Sequence, residues 1–479
     1  MVLYYNLFKN SKYYLKDDHI KLLVIMGLNG FLTAQQLQLY HEVLTMKNTK
    51  ISAQMLSRWS KRGGIVGVNK IQNHVTYHLK DSFIDWLVAQ GYLYKNDLAD
   101  RSENIHNIMV NQAIAKGIWQ AYQTSISLLR HSNYGINTLV NGFEAITKAY
   151  KGVSNGQLIN NSNFTPNNYQ WLYGVDFRSY FRQLGLTVEE QHHLNFMPDG
   201  FISIGNTAIC VELDNLTETN ERLVAKISNY LYYAKEHPQQ HIVMCLIFND
   251  GSVRNNKVTA KKIPYSKIYH IVQKSLQTQI TYRGKQVGII NAYNQQTNLD
   301  IFIAPLMDSD IDISDAIFYK NKDYTKLSAD TIKLFNANSS KIKFYVKSHN
   351  QHKQYNRYAN KSYYAYLYAP NTRKISDDII IVLGQEHLFD TLVTQALYAN
   401  KAMKDHRYYP MIVYPLRQRL ITPVAFISDD LQKQNARQYT YHQVVRLQLT
   451  PTYNYDVPMV YLINNVRSNL QPQIMFKLF

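Results

Sequence analysis

Phe196-Met-Pro-Asp-Gly-Phe-Ile-Ser-Ile-Gly-Asn-Thr-Ala-Ile-Cys-Val-Glu-Leu-Asp214 is the stretch from which the central part of the chain can be read. Two apolar, alternating runs flank Gly205-Asn206, and such a pair between such runs signals a two-residue hairpin. Pairing Ile204 with Thr207 sets the register and brings Asp199 across from Glu212. Cross-strand neighbours lie about 5 Å apart, and like charges there repel. Alternation puts Asp214 on the face of Glu212 and turns Val211 and Leu213 to the other. Three carboxylates thus converge on one face of a short hairpin. A hard divalent cation is the natural counter-charge, since it takes oxygen ligands from Asp and Glu. The plainer alternative is an exposed edge that solvates these carboxylates, against which the apolar flanks argue.

Downstream, Asn215 with Glu218 resembles a capping box for a helix. On that helix Arg222, Lys226 and Tyr230 fall at i, i+4 and i+8 as a polar stripe, and Leu223, Ile227 and Leu231 form an apolar one. The polar stripe supplies cations to the carboxylates. Lys226 there can stabilise a pentavalent phosphate or orient an attacking water. A solvated helix face is the bland alternative for Arg222 and Lys226. His241–Phe248 then reads as a buried strand, giving the order hairpin, helix, strand. Tyr230, Tyr232 and Tyr233 read as packing residues, because Tyr is abundant throughout the chain.

Upstream, residues 15–95 follow a winged helix-turn-helix pattern. Asp17 or Asp18 caps a first helix carrying Ile20, Leu23, Val24 and Leu28, and Asn29-Gly30 ends it. Thr33 caps a second helix, with Leu37 and Tyr40 inward. A third helix follows Ser52, with Met55, Leu56 and Trp59 on its apolar side. Gln54, Ser57, Arg58, Lys61 and Arg62 occupy its other side, the face such modules lay in a major groove. Ile65–Lys70 and His74–Leu79 form a wing around Gln72-Asn73. Many winged helices mediate protein contacts alone, which is the competing reading. Residues 103–150 read as a helical connector using Ile105, Met109, Ile114, Ile118, Ile126 and Leu129. Residues 151–169 read as loop.

With 479 residues the chain is too long for one hydrophobic core. Its 52 Lys and Arg against 34 Asp and Glu give a formal net charge of +18, which favours a polyanionic partner. The 39 Tyr fit codon bias from an AT-rich genome and say nothing of base stacking. Cys210 and Cys245 sit in apolar runs without paired-cysteine spacing, so neither zinc nor a disulfide is expected. With no signal peptide or membrane-length apolar run, the chain is expected to be cytoplasmic, with no membrane insertion. Residues 290–479 show strand-like runs at Leu299–Ala304, Ile379–Leu383, Met411–Tyr414, Pro423–Ile427 and Val457–Ile463, and a helix at Leu388–Lys401. The basic stretches Lys341–Lys347 and Lys353–Lys361 are DNA-facing or simply solvated. That is α/β or α+β texture without a motif.

Pro198-Asp199 followed by Glu212-Leu213-Asp214 resembles the PD-(D/E)XK nuclease superfamily. Asp214 stands where the last Lys is usual, and Lys226 is the candidate for a lysine that has migrated to the next helix. The N-terminal winged helix, His106-Asn-Ile-Met-Val-Asn111, Pro-Asp-Gly, Val-Glu-Leu-Asp, a Thr-Glu pair and Lys226…Tyr230 are together similar to the replication-relaxation family, related to MobC-type relaxases. The likeness covers roughly residues 15–250, and its ordered combination carries the weight. It implies a restriction-endonuclease-like αβ domain at 170–260, between the winged helix (15–95), the connector (103–150) and a mixed αβ domain of unassigned type (290–479).

What the resemblance further implies is a sequence-guided DNA nickase acting in plasmid mobilisation or replication on double-stranded DNA, with conjugation accessory or coupling proteins as further partners. Asp199 and Glu212 would bind Mg2+ or Mn2+, with the Leu213 carbonyl as a third ligand. Asp214 and Lys226 would complete the catalytic set. Gln54, Ser57, Arg58, Lys61, Arg62 and Arg222 would contact DNA. Asp176, Glu189 and Glu190 are candidates for a further acid. Asp214 in place of lysine leaves a second expectation: a non-catalytic DNA-binding plasmid replication or regulatory protein with a degenerate nuclease fold. A defence nuclease that makes double-strand breaks is a third.

Overall fold

The computed structural model describes residues 2–6, 11–45, 50–93, 104–130, 198–204, 207–251 and 263–317. Beyond these it describes 345–346, 366–369, 378–383, 387–390, 392–393, 408–414, 444–446 and 459–462. The fold is mixed α/β, with several sheets and helices. The chain forms two compact units that interleave along the sequence. One holds Met1–Glu218, Tyr232–Pro264 and Ala304–Asn321; the other holds Thr219–Leu231, Tyr265–Ile303 and Lys322–Phe479. The four segments expected from sequence do not map one-to-one onto these units.

The first unit opens on an antiparallel hairpin that the sequence pattern does not announce, β1 (Val2–Asn6) with β2 (Ser11–Leu15). Tyr4 anchors it, its ring edge-on to Phe83 at 4.9 Å and to Trp86 at 5.3 Å. Helix α1 (Asp17–Asn29) follows. Its N-cap is Lys16, whose carbonyl accepts the Ile20 N–H, so neither aspartate caps it as expected. Asp17 is instead the first helical residue. Gly30, at φ 73°, closes the helix as predicted, with its N–H on the Met26 carbonyl.

Strand β3 (Leu32–Thr33) leads into α2 (Ala34–Thr45). Thr33 caps it through a reciprocal box: its hydroxyl accepts the Gln36 N–H, and the Gln36 carboxamide accepts the Thr33 N–H. Ser52 caps α3 (Ala53–Ser57) by accepting the Met55 N–H at 3.0 Å. The helix runs on into a single π turn, Arg58–Arg62, closed by the Gly63 N–H on the Arg58 carbonyl. Leu56 and Trp59 are buried beneath it, whereas Gln54, Ser57, Arg58, Lys61 and Arg62 are all exposed. β4 (Val66–Ile71) and β5 (His74–Leu79) pair antiparallel around Gln72, which takes φ 53° at the turn. The sheet order is β3-β5-β4, and α4 (Asp81–Ala89) comes after it.

Helix α5 (Ile105–Arg130) buries Met109, Ile114 and Ile118 as its periodicity predicts. Polar ties fix it to the preceding helices. Gln36 Nε2 donates to the Ile108 carbonyl at 2.8 Å, and Trp119 Nε1 donates to Glu42 Oε2 at 2.7 Å. Asn111 Nδ2 donates to the carbonyls of Asn29 and Phe31, at 3.0 and 3.1 Å, where α1 has ended.

The same helix packs on β6 (Gly200–Ile204) and β7 (Thr207–Asp214). These pair antiparallel with Ile204 opposite Thr207, the register the sequence predicts. β8 (His241–Phe248) lies parallel to β7, so a crossover must join them, and α6 (Asn220–Glu236) supplies it. Every residue of β7 is buried. Helix Ser309–Ile317 packs on α5, β7 and β8.

The second unit contains helix Ile263–Gln277 from Tyr265 onward, the hairpin Gln279–Tyr282 with Lys285–Gly288, and helix Ile289–Gln295. Arg283 and Gly284, at φ 52° and 73°, make the hairpin turn. A six-stranded mixed sheet follows in the order Tyr345–Val346, Tyr366–Ala369, Asp378–Leu383, Tyr408–Tyr414, Met459–Leu462, Val444–Arg446. It contains the strands expected at Ile379–Leu383, Met411–Tyr414 and Val457–Ile463. Pro423–Ile427, 131–169, Lys353–Lys361 and most of Leu388–Lys401 and Lys341–Lys347 lie outside the described residues. Among the described residues no helix is long and apolar enough to cross a membrane.

A Cβ at Gly117 of α5 would run into the Ile313 side chain. Gly117→Ala should therefore cost about 1–3 kcal/mol in denaturant unfolding. Adding Ile313→Ala should cost less than the two single changes summed. Strict additivity would refute the close approach.

Candidate functional site

Glycine decides where the site forms. A Cβ on Gly200 would lie 2.7 Å from both Val110 Cγ1 and Ile114 Cδ1, so α5 lies directly on β6. His106 sits one helical turn before Val110 on α5, and Asp199 directly precedes Gly200. The two side chains meet, His106 Nε2 to Asp199 Oδ1, at 3.1 Å. The other Asp199 oxygen, Oδ2, accepts the Leu213 N–H at 2.8 Å. Gly200 opposite Val211 ends the ladder, and continuing that register carries Asp199 to Glu212. The Asp199 side chain is 29% exposed, whereas Glu212 is 4% exposed. Asp199 is thus partly open to solvent just before β6, whereas Glu212 is buried in β7.

A polar chain continues behind His106. Asn215 Nδ2 lies 3.3 Å from His106 Nδ1, Asn249 Nδ2 donates to Asn215 Oδ1 at 3.1 Å, and the Gly251 N–H donates to Asn249 Oδ1 at 2.9 Å. The Asn249 N–H also holds the Asp214 carbonyl at 2.9 Å.

Asp214 is buried, at 1% exposure, and its Oδ1 accepts the N–H groups of Thr217 and Glu218 at 3.0 and 3.1 Å. Leu216 in this turn has φ 67°, which bars a helix from starting at Asn215. The expected cap on Asn215 and Glu218 is therefore replaced. Thr219 caps α6, its hydroxyl accepting the Arg222 N–H and its carbonyl the Leu223 N–H. On α6 Arg222 is exposed, Lys226 is half-buried and Tyr230 is buried, so the polar stripe ends before Tyr230. Tyr233 is buried as well, and its hydroxyl donates to Gln240, which agrees with a packing role. Glu221, in the first turn of α6, is held below the usual carboxylate range by a backbone hydrogen bond and then by Lys274, 3.1 Å away.

Among the described residues no group of three or more His, Cys, Asp and Glu is arranged to hold a metal ion. Asp214 is committed to the turn through Oδ1. Asp199 and Glu212 remain the oxygen donors at the hairpin. That pair suits Mg2+, which keeps most of its water and takes one or two protein carboxylates. Among the described residues His106 meets Asp199 Oδ1 and the Leu213 N–H meets Oδ2, and a carboxylate oxygen can accept more than one such bond. Cys210 and Cys245 are free and buried. Burial, then Asp312 and Cys210, push the Cys245 thiol up. Asp176, Glu189 and Glu190 lie outside the described residues.

Sequence reasoning placed His106 in the family pattern without a role. Its signal was the stripe His106, Val110, Ile114 at i, i+4 and i+8, read together with the glycine after Asp199. Comparison with protein families, curated proteins and solved structures finds no match.

Asp214→Ala removes the acceptor for two turn N–H groups and should destabilise the protein by about 2 kcal/mol in thermal or denaturant unfolding. Asp214→Asn keeps an acceptor oxygen and should lose less. Equal stability for Asp214→Ala and wild type would show that the turn does not depend on this carboxylate.

Proposed function

We propose that the chain is a metal-dependent, sequence-guided DNA nickase of relaxase type, acting on plasmid DNA during mobilisation or replication. What supports this reading is the partly exposed Asp199, one residue beyond the Gly200–Val211 pair, a register that extrapolates to the buried Glu212. The strand order around them, an antiparallel hairpin followed by a helix and a parallel strand, supports it too. So does the resemblance of the ordered motifs to the replication-relaxation family.

Asp199 and Glu212 would hold the ion and orient its water. When bound, such an ion supplies Lewis-acid activation of a phosphate oxygen and a nucleophilic water. Lys226 would bind the scissile phosphate and offset its developing charge. Helix α3 would select the site. Its exposed Gln54, Ser57, Arg58, Lys61 and Arg62 form the face that a winged helix lays in a major groove, and the excess of basic residues suits a phosphate backbone.

A supercoiled plasmid carrying the protein's own replicon or transfer region tests the chemistry. With Mg2+ or Mn2+ the wild type should yield open circles, and Asp199→Ala or Glu212→Ala should yield none while still shifting the DNA in a gel. Normal cutting by either variant would overturn the site. The second reading is a DNA-binding replication or regulatory protein whose nuclease fold has lost its chemistry. The engagement of Asp214 in a turn favours it, because a lysine usually stands at that position. No cutting by wild type, with a clear gel shift, is its outcome.

Helix α3 is tested separately. Arg58→Ala combined with Arg62→Ala should weaken DNA binding and flatten its dependence on log salt by about one for each phosphate no longer neutralised. An unchanged salt slope would remove α3 from the DNA interface.

A further inference from the structure

We infer that His106 is the positioning residue for Asp199, held in a single tautomer by a hydrogen-bond relay that begins at the Gly251 amide. The inference rests on the reading of Asp199 as a metal ligand, although the relay stands on geometry alone.

The direction of the relay follows from its anchor. A backbone N–H can only donate, so the Asn249 atom that receives the Gly251 N–H is its carbonyl oxygen. The amide nitrogen of Asn249 then points at Asn215 and donates to its oxygen. That turns the Asn215 amide nitrogen toward His106 Nδ1, 3.3 Å away. An amide NH2 has no lone pair to offer, so Nδ1 must be the accepting nitrogen. The ring proton is therefore on Nε2, aimed at Asp199 Oδ1 at 3.1 Å. Asp199 accepts, because a carboxylate has no proton to give. Its other oxygen takes the Leu213 N–H from the facing strand. The carboxylate is pinned from two directions, by a helix and by a strand.

This matters for a metal ligand. Ligating carboxylates depend on outer hydrogen bonds to keep their orientation, and losing one typically lowers metal affinity or activity about 10–100-fold. Here the outer partner is itself oriented by two asparagines. His106 touches neither phosphate nor reacting water in this scheme, so its role is positional.

The test uses the full-length protein and two readouts. The first is the nitrogen-15 long-range NMR pattern of labelled histidine in metal-free protein at mildly alkaline pH, with the His106 signal identified by its loss in His106→Gln. A ring with hydrogen on Nε2 is expected, relaxing to a tautomer mixture in Asn215→Leu. A ring with hydrogen on Nδ1, or no change in Asn215→Leu, overturns the relay. The second readout is Mn2+ binding followed by the free-ion spin-resonance signal, with plasmid nicking alongside it. His106→Ala should lose about 10–100-fold in both. His106→Gln, which can keep a donor near the Nε2 position, should recover most of the loss. Thermal melting of the metal-free variants separates misfolding from misplacement. Wild-type affinity in a folded His106→Ala, or no recovery in a folded His106→Gln, overturns the positioning role. A wild type that neither binds Mn2+ nor nicks sinks the nuclease reading and the positional role with it, and the NMR arm still decides the relay.

Discussion

The absence of one Cβ, at Gly200, governs the arrangement of the first unit. It lets Val110 and Ile114 settle onto β6, and this close seat places His106 over Asp199. Helix α5 is also the helix that Asn111 and Gln36 tie to the N-terminal helices. One rod therefore touches the end of α1, the start of α2 and the face of the central sheet. An error in its axial position would misplace the Asn111 bonds and the His106 contact together. Buried amide and carbonyl groups without partners are costly, so the polar ties define one axial register where apolar packing alone would tolerate several.

Much of this was legible in the sequence. The pairing of β6 with β7 and its register, Ile204 opposite Thr207, were legible from the alternating runs around Gly205-Asn206, a pair that itself lies outside the described residues. Thr33, Ser52 and Gly30 announced helix ends, because each solves a local hydrogen-bond or φ problem that only a few residue types can solve. The exposed polar and basic side of α3 and the π turn that continues it followed from helical periodicity, although the π turn itself did not. The misses share one cause. The Lys16 cap, the Thr219 cap and the role of His106 all depend on where another segment lies. Asn215 looked like a helix cap because Asn often is one. It serves instead in the relay, since Asp214 and Leu216 had already shaped the turn. The β1–β2 hairpin depends on Tyr4 finding Phe83 and Trp86 far along the chain. The interleaving of the two units leaves no local trace at all.

Asp214 shows how a buried carboxylate can be committed to structure, its Oδ1 holding a turn. A buried carboxylate is tolerated when charge-assisted hydrogen bonds replace its water. Two turn N–H groups do that for Asp214. Asp199 has its own pair of donors yet remains partly open to solvent, and Glu212 is enclosed in the sheet. Of these three acids within sixteen residues of sequence, Asp199 is partly open to solvent and the other two are buried. The net charge of +18 acts at longer range, favouring polyanions near the surface without specifying any site.

The interleaved order of the first unit has a consequence for the nascent protein. Helix Ser309–Ile317 closes over Gly117 of α5, from nearly two hundred residues further along the chain. While the polypeptide is being synthesised, the N-terminal helices and the hairpin can form early, but α5 keeps an uncovered apolar flank until that helix has left the ribosome. Contacts of such long sequence separation are slow to form, and exposed flanks invite association in the interval. A chain released before residue 309 would leave this flank bare. Such a fragment would expose apolar surface of the kind that chaperones and proteases act on.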